Sequence, residues 1–217
     1  MSTVLTTEPI QLGSLALPGD LVIPDRARGL VVFAHGSGSG RQSPRNRWVA
    51  SALQRAHMAT LLFDLLTEEE AREGRLVFDI DLLAERVVES IHWTEHHPDL
   101  ANLRLGLFGA STGAAAALKA AALRPDRVSA VVSRGGRPDL AMDCLAQVQA
   151  PTLLIVGGLD TEVLALNREA LRRLHAPKRL EVVPGAGHLF EEPGALGSVA
   201  VYATSWFDEY LGAGSLS

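Results

Sequence analysis

Arg104-Leu105-Gly106-Leu107-Phe108-Gly109-Ala110-Ser111-Thr112-Gly113-Ala114-Ala115-Ala116-Ala117 is the stretch whose reading decides the fold. A short apolar, strand-like run meets Gly109-Ala110-Ser111-Thr112-Gly113 and passes straight into an alanine-rich segment that favours helix. The pattern G-x-S-x-G between those flanks reads as a nucleophile elbow, with strand, sharp turn and helix in sequence and one serine at the apex. Only small residues fit around so tight a turn, and Gly109 and Gly113 make a strained serine backbone tolerable. The competing reading is a strand-to-helix loop that happens to contain glycine and serine. The strand before and the helix after favour the elbow.

Working outward, 217 residues with 47% hydrophobic and 21% charged side chains give enough apolar mass for a core and too little charge for disorder. That length suits one α/β domain over residues 1–217. A formal net charge of -5, with Lys and Arg mostly scattered, argues against a nucleic-acid partner. The lone Cys144 excludes an internal disulfide and fits a reducing, cytoplasmic setting. Met1-Ser2-Thr3-Val4-Leu5-Thr6-Thr7-Glu8 lacks the charged-then-apolar pattern of an export signal. No run approaches the roughly 20 apolar residues of a membrane span, so no membrane partner is expected. No Cys/His spacing suits zinc, and neither metal nor cofactor is expected.

In chain order, residues 8–24 read as two short strands around a turn at Pro18-Gly19-Asp20. Gly29-Leu30-Val31-Val32-Phe33-Ala34 is continuously apolar, as a strand buried on both faces would be. It delivers the glycine-rich loop His35-Gly36-Ser37-Gly38-Ser39-Gly40. Ser43-Pro44 opens a helix, with serine as its cap and proline at its first position. Strands are expected at 60–64, 103–108, 128–133, 152–157 and 180–183, with helices at 78–97, 112–124, 162–174 and about 196–211. Glu68-Glu69-Glu70 reads as a solvated acidic loop. Alternating strands and helices imply a mostly parallel sheet with helices on both faces and right-handed crossovers. The segment between 133 and 152 is too short for a cap domain, so an open site is expected.

A serine hydroxyl needs a base within hydrogen-bond reach and a third group that fixes the base. Parallel sheets place ligands at the carboxyl ends of their strands, and two candidates follow strands there. Asp160, in Gly157-Gly158-Leu159-Asp160, suits the orienting acid, though an aspartate there would equally cap the next helix. His188, in Pro184-Gly185-Ala186-Gly187-His188, suits the base, in a loop expected to be mobile so that the ring can swing over the serine. The oxyanion would be held by two backbone N–H groups. One is that of Thr112, at the start of the elbow helix, and the other that of Ser37, with Gly38 the alternative. The loop 35–40 lacks the Gly-Lys-Ser/Thr ending of a phosphate-binding loop and the spacing of a dinucleotide fingerprint.

His35-Gly36-Ser37-Gly38-Ser39, Gly109-Ala110-Ser111-Thr112-Gly113, Gly158-Leu159-Asp160 and Gly185-Ala186-Gly187-His188 together resemble the α/β-hydrolase superfamily. The chain order Ser111, Asp160, His188 is the order of that superfamily. The short, capless layout is most similar to the dienelactone-hydrolase-like group. The resemblance implies a single-domain α/β-hydrolase fold and hydrolysis of esters or lactones through an acyl-enzyme. Dienelactone hydrolases proper carry a cysteine nucleophile, where this chain has Ser111, and a glutamate after the loop histidine, where it has Gly36. The mechanism implied is therefore that of a serine esterase acting on a small-molecule ester.

Arg134 and Arg137 follow the strand 128–133, and Arg41, Arg45 and Arg47 follow the glycine-rich loop. Arginine forks match carboxylate or phosphate, so Arg134 or Arg137, with Gly38 nearby, could bind an acidic part of the substrate. Alternatively these arginines pair with Asp64, Asp139 or the acidic run. Thioester or amide hydrolysis, acyl transfer, and a non-catalytic ligand-binding role are the rival functions, since one fold hosts many.

Overall fold

Four strand segments have no polar alternation because layers cover both of their sides. These are β3 (Gly29–Ala34), β4 (Met58–Phe63), β5 (Leu105–Ala110) and β7 (Thr152–Gly157), in which every residue is buried. The computed structural model describes residues 5–212; residues 1–4, part of the N-terminal stretch read above, and 213–217 lie outside them. With β1 (Thr7–Leu12), β2 (Leu17–Val22), β6 (Val128–Arg134) and β8 (Lys178–Val183) these strands form one eight-stranded sheet, in the order β1-β2-β4-β3-β5-β6-β7-β8. The pairs β1/β2 and β2/β4 are antiparallel and all others are parallel.

The two faces of the sheet have separate cores. Leu30 and Val32 of β3 and Leu107 of β5 pack with Leu83, Val87 and Ile91 of α3 (Ile80–Glu95) and the alanines of α4 (Thr112–Leu123). Val31, Phe33 and Phe108 point the other way, toward Val49 and Leu53 of α1 (Pro44–Arg55) and Val199, Trp206 and Phe207 of α6 (Ala195–Leu211). α5 (Thr161–Arg173) covers the β7 end through Val163 and Leu164. Ser43 caps α1, its hydroxyl accepting from Asn46 N–H. Between β6 and β7 the chain makes two short 3-10 turns, Pro138–Ala141 and Leu145–Gln147, and no inserted domain covers the strand ends. No described helix is long and apolar enough to cross a membrane.

Two local expectations fail for identifiable reasons. Pro18-Gly19-Asp20 lies inside β2, not at a turn. The turn falls earlier, where Gly13 (φ 64°) and Ala16 (φ 52°) take left-handed conformations and Ala16 N–H donates to Gly13 C=O. The acidic run is not a loop but α2 (Glu68–Arg72), started by a capping box in which Thr67 and Glu70 satisfy each other's backbone N–H. Glu70 also pairs with Arg86 at 3.0 Å, whereas Glu68 is exposed.

The backbone packs very closely where α4 meets β3 and β5. A Cβ on Gly113 would stand 2.2 Å from the Ala34 carbonyl oxygen, and one on Gly109 would stand 2.4 Å from Ala114 Cα. Both obstacles are backbone and cannot step aside. Gly113→Ala should therefore lower unfolding stability by about 3 kcal/mol, read as a reduced denaturant midpoint. A midpoint equal to that of the unsubstituted protein would contradict this packing.

Candidate active site

Ser111 adopts φ 51° and ψ -122°, a region that costs a non-glycine residue about 1–3 kcal/mol and persists only where the surroundings enforce it. Three backbone bonds enforce it here. Ser111 N–H donates to Arg134 C=O at 3.2 Å, and Ser111 C=O accepts from Ala114 N–H and Arg137 N–H, both at 3.1 Å. Ser111 occupies the N-cap position of α4, yet its hydroxyl makes no capping bond. The side chain instead lines a cavity of about 250 Å³ that it shares with His188, Arg134, Arg45, Ser37 and Leu189.

Asp160 stands at the N-cap of α5 and, like Ser111, leaves the cap unmade. Its Oδ2 accepts from His188 Nδ1 at 2.6 Å, a length typical of a charge-assisted bond. That geometry separates the two sequence readings of Asp160 in favour of the histidine partner. A carboxylate only accepts, so Nδ1 carries the proton and a neutral ring keeps its lone pair on Nε2. In this structure several contacts tie down the His188 loop. Leu159 N–H donates to Ala186 C=O at 2.9 Å, Gly187 N–H donates to Glu192 Oε1 at 2.9 Å, and Phe190 is buried beneath the loop. With these bonds in place the imidazole lines the cavity that holds Ser111.

Of the two oxyanion candidates, the N–H of Thr112 begins α4, where unpaired helix N–H groups favour negative charge. The N–H of Ser37, which lines the Ser111 cavity, is already engaged, since Thr112 Oγ1 accepts it at 2.9 Å. Any oxygen that used this donor would have to take or share it. Gly38 (φ 68°) belongs elsewhere. It lines a second cavity of about 250 Å³ on the far side of the loop and does not line the one that holds Ser111.

The two arginine candidates part company. Arg137 is not an anion site, because its Nε and Nη2 grip the carboxylate of Asp139 at 2.9 and 2.8 Å. Its contribution is the backbone N–H that holds Ser111. Arg134 is 7% exposed and lines the Ser111 cavity. Its Nη2 donates to Asn46 Oδ1 at 3.3 Å, its guanidinium lies 5.9 Å from the Phe190 ring centre, and its Nε is buried without an acceptor. Among the described residues no carboxylate pairs with it. Burial and neighbouring Arg45 pull its pKa down to about 10, which still leaves it charged at neutral pH. Arg45 itself pairs with exposed Glu191, Arg41 with Asp20 and Asp64, and Arg47 with Asp20.

Of three supporting residues, Asp64 is an arginine partner that the sequence offered, whereas Asn46 and His35 escaped sequence reading. Asn46 is buried in the first turn of α1, and only its place three residues after the Ser43 cap hinted at it. Asp64 Oδ1 accepts Arg41 N–H at 2.7 Å and steadies the end of the glycine-rich loop. His35 is almost fully buried, its Nε2 accepting Leu65 N–H at 3.0 Å while Nδ1 lies 3.0 Å from Gly36 C=O. Among the described residues no group of three or more His, Cys, Asp or Glu side chains could hold a metal ion.

A strand-turn-helix with the serine at its apex, followed by an acid and a histidine at later strand ends, is the layout of an α/β-hydrolase. The sequence pattern of the dienelactone hydrolase family matches residues 50–208. The chain belongs to that family. A dienelactone hydrolase from Anabaena variabilis of known crystal structure is 57% identical, with a TM-score of 0.92 over 95% of this chain and 98% of that one. Est1E from Butyrivibrio proteoclasticus shares the fold at 14% identity, with a TM-score of 0.79 over 94% and 98% of the two chains. A protein of Mycobacterium tuberculosis called a putative phosphoribosyl transferase is 56% identical over 209 residues, which are 95% of this chain and 47% of that protein. The chain thus spans less than half the length of that relative.

Burial holds the pKa of His35 below its ordinary 6.5, with Gly36 C=O and Asp64 opposing only in part. The sign follows directly. The neutral ring suits the fold above pH 6.5, and stability falls as the pH drops below that value, because the unfolded chain binds the proton first. His35→Gln keeps an acceptor for Leu65 N–H without titrating. It should flatten the acid side of a melting-temperature profile between pH 6.5 and 4.5, and an unchanged slope would contradict the assignment.

Proposed function

We propose that the protein is a serine hydrolase of carboxylic esters or lactones. Ser111 Oγ attacks the carbonyl carbon while His188 Nε2 takes the hydroxyl proton. Asp160 holds the ring in the required tautomer and balances the imidazolium that forms. The N–H groups of Thr112 and Ser37 receive the developing oxyanion, an interaction that typically contributes about 3 kcal/mol per donor. His188 then returns the proton to the leaving oxygen as the tetrahedral intermediate collapses to an acyl-enzyme. Water, deprotonated by the same ring, attacks the acyl carbon and releases the acid and Ser111. The observation that carries this reading is the 2.6 Å bond from His188 Nδ1 to Asp160 Oδ2 beside a strained, uncapped serine.

Arg134 supports a finer reading, in which the substrate bears a carboxylate or phosphate away from the bond that is cut. A buried guanidinium with a free Nε and no carboxylate partner among the described residues is costly to keep unless an anion meets it. The transferase name of the longer Mycobacterium relative belongs to that protein. Here the serine, base and acid favour attack on an acyl carbon.

Steady-state turnover of a neutral ester and of its carboxylated analogue tests both parts. Asp160→Asn should lower kcat by about 10⁴-fold on either ester. Arg134→Gln should lower kcat/KM at least about tenfold more on the carboxylated ester than on the neutral one. Full activity of the Asp160 variant would overturn the hydrolase reading, and equal losses in the Arg134 variant would overturn the anion site alone.

A further inference from the structure

The glycine-rich loop forms a wall of two cavities, and only one of them holds Ser111. The other, of about 250 Å³, lies toward β4 and α3. Its floor is Leu65, Leu66 and Leu83, all buried, and its outer wall is Ala71 of α2 and Val77 of the 3-10 turn Leu76–Phe78. Neither α2 nor that turn contains a buried residue. Leu76 and Val77 are half-buried against the core, while Ala71 and Phe78 remain exposed, so this wall keeps apolar surface open to a ligand.

Three of the polar groups around this cavity are already engaged. His35 Nε2 is taken by Leu65 N–H, Thr67 Oγ1 by Glu70 N–H, and Asp64 by Arg41. The cavity's two charged lining residues, Asp64 and Glu68, are acidic and paired with Arg41 and Arg72, whereas Arg134, with no carboxylate partner among the described residues, lines the cavity beyond the loop. One side of the loop therefore attracts an anion, and the other offers aliphatic walls and no cation. Its volume lies below the roughly 300 Å³ at which drug-sized ligand sites begin, so it suits one short substituent.

The geometry points to this cavity as a specificity chamber for an uncharged apolar group, a short alkyl chain or a single aromatic ring, joined to the ester whose carbonyl meets the glycine-rich loop. The assignment rests on the hydrolase reading above and extends it. The substrate is two-ended, with its anionic end toward Arg134 and its apolar end against Leu65, Leu66 and Val77. The guanidinium of Arg134 on one side of the loop and the aliphatic walls on the other fix which end goes where.

Two measurements on the full chain test it. The first needs no catalysis. Methyl-labelled protein is titrated with benzyl alcohol, and the methyl resonances of Leu65, Leu66, Val77 and Leu83 should shift. Val77→Trp, which fills the chamber from its exposed outer wall, should abolish those shifts, and Ala71→Leu serves as an independent filling variant. The second compares kcat/KM for ethyl hexanoate and hexyl acetate, each relative to ethyl acetate. At least one ratio should exceed ten and should collapse at least tenfold in the filled variants. Shifts confined to other methyls, or ratios indifferent to both fillings, would overturn the chamber. Absence of turnover on every ester would overturn the hydrolase reading instead, while the titration would still decide the chamber.

Discussion

A close backbone approach between α4 and two central strands shapes the region around Ser111. The start of α4 presses against the end of β3 and the end of β5, at a separation that leaves no room for a Cβ at Gly109 or Gly113. Held at that distance, the chain can turn from strand to helix only through a left-handed residue, and the residue there is Ser111. The strain is sustained by backbone bonds to Arg134, Ala114 and Arg137. The same approach brings Ser37 N–H within 2.9 Å of the Thr112 hydroxyl. Ser111, the start of α4 and the glycine-rich loop thus meet at one packing constraint.

Around that point two helices begin without using the side chains best suited to cap them. Ser111 and Asp160 both stand at N-cap positions, and neither makes the capping bond. Each gives up roughly 1 kcal/mol of helix stabilisation, leaving one side chain at a cavity and the other on His188. Arg134 departs from local optimisation in a similar way, as a buried cation with an unpaired Nε. These departures converge within one region at the carboxyl ends of β5, β6, β7 and β8. Elsewhere the caps are made, at Ser43 as the sequence suggests and also at Thr67 and Asp79.

Much of this was legible in the sequence because it depends on short-range chemistry. Gly-x-Ser-x-Gly between an apolar run and alanines specifies the elbow, and unbroken apolar strands specify a sheet covered on both sides. Asp160 and His188 were visible as polar residues just beyond strand ends, although a cap and a histidine partner require the same position and only the 2.6 Å bond separates them. What stayed hidden depends on side chains meeting across the fold. Arg134 and Arg137 look alike in sequence, three residues apart. One faces a cavity with no carboxylate, and the other finds Asp139 two residues further on. Asn46 and His35 were equally opaque, since their partners lie 88 and 30 residues away. The glycines before His188 suggested a hinge, but long-range bonds and buried Phe190 anchor that loop.

The central claim is that Ser111 is a hydroxyl activated by His188. Its most direct test is covalent labelling with a serine-reactive fluorophosphonate, followed by peptide mass spectrometry of the folded protein. The expected result is one adduct, on Ser111, which forms far more slowly in His188→Ala and not at all in Ser111→Ala. Folded protein that stays unmodified, or that carries its adduct on another residue, would contradict the account.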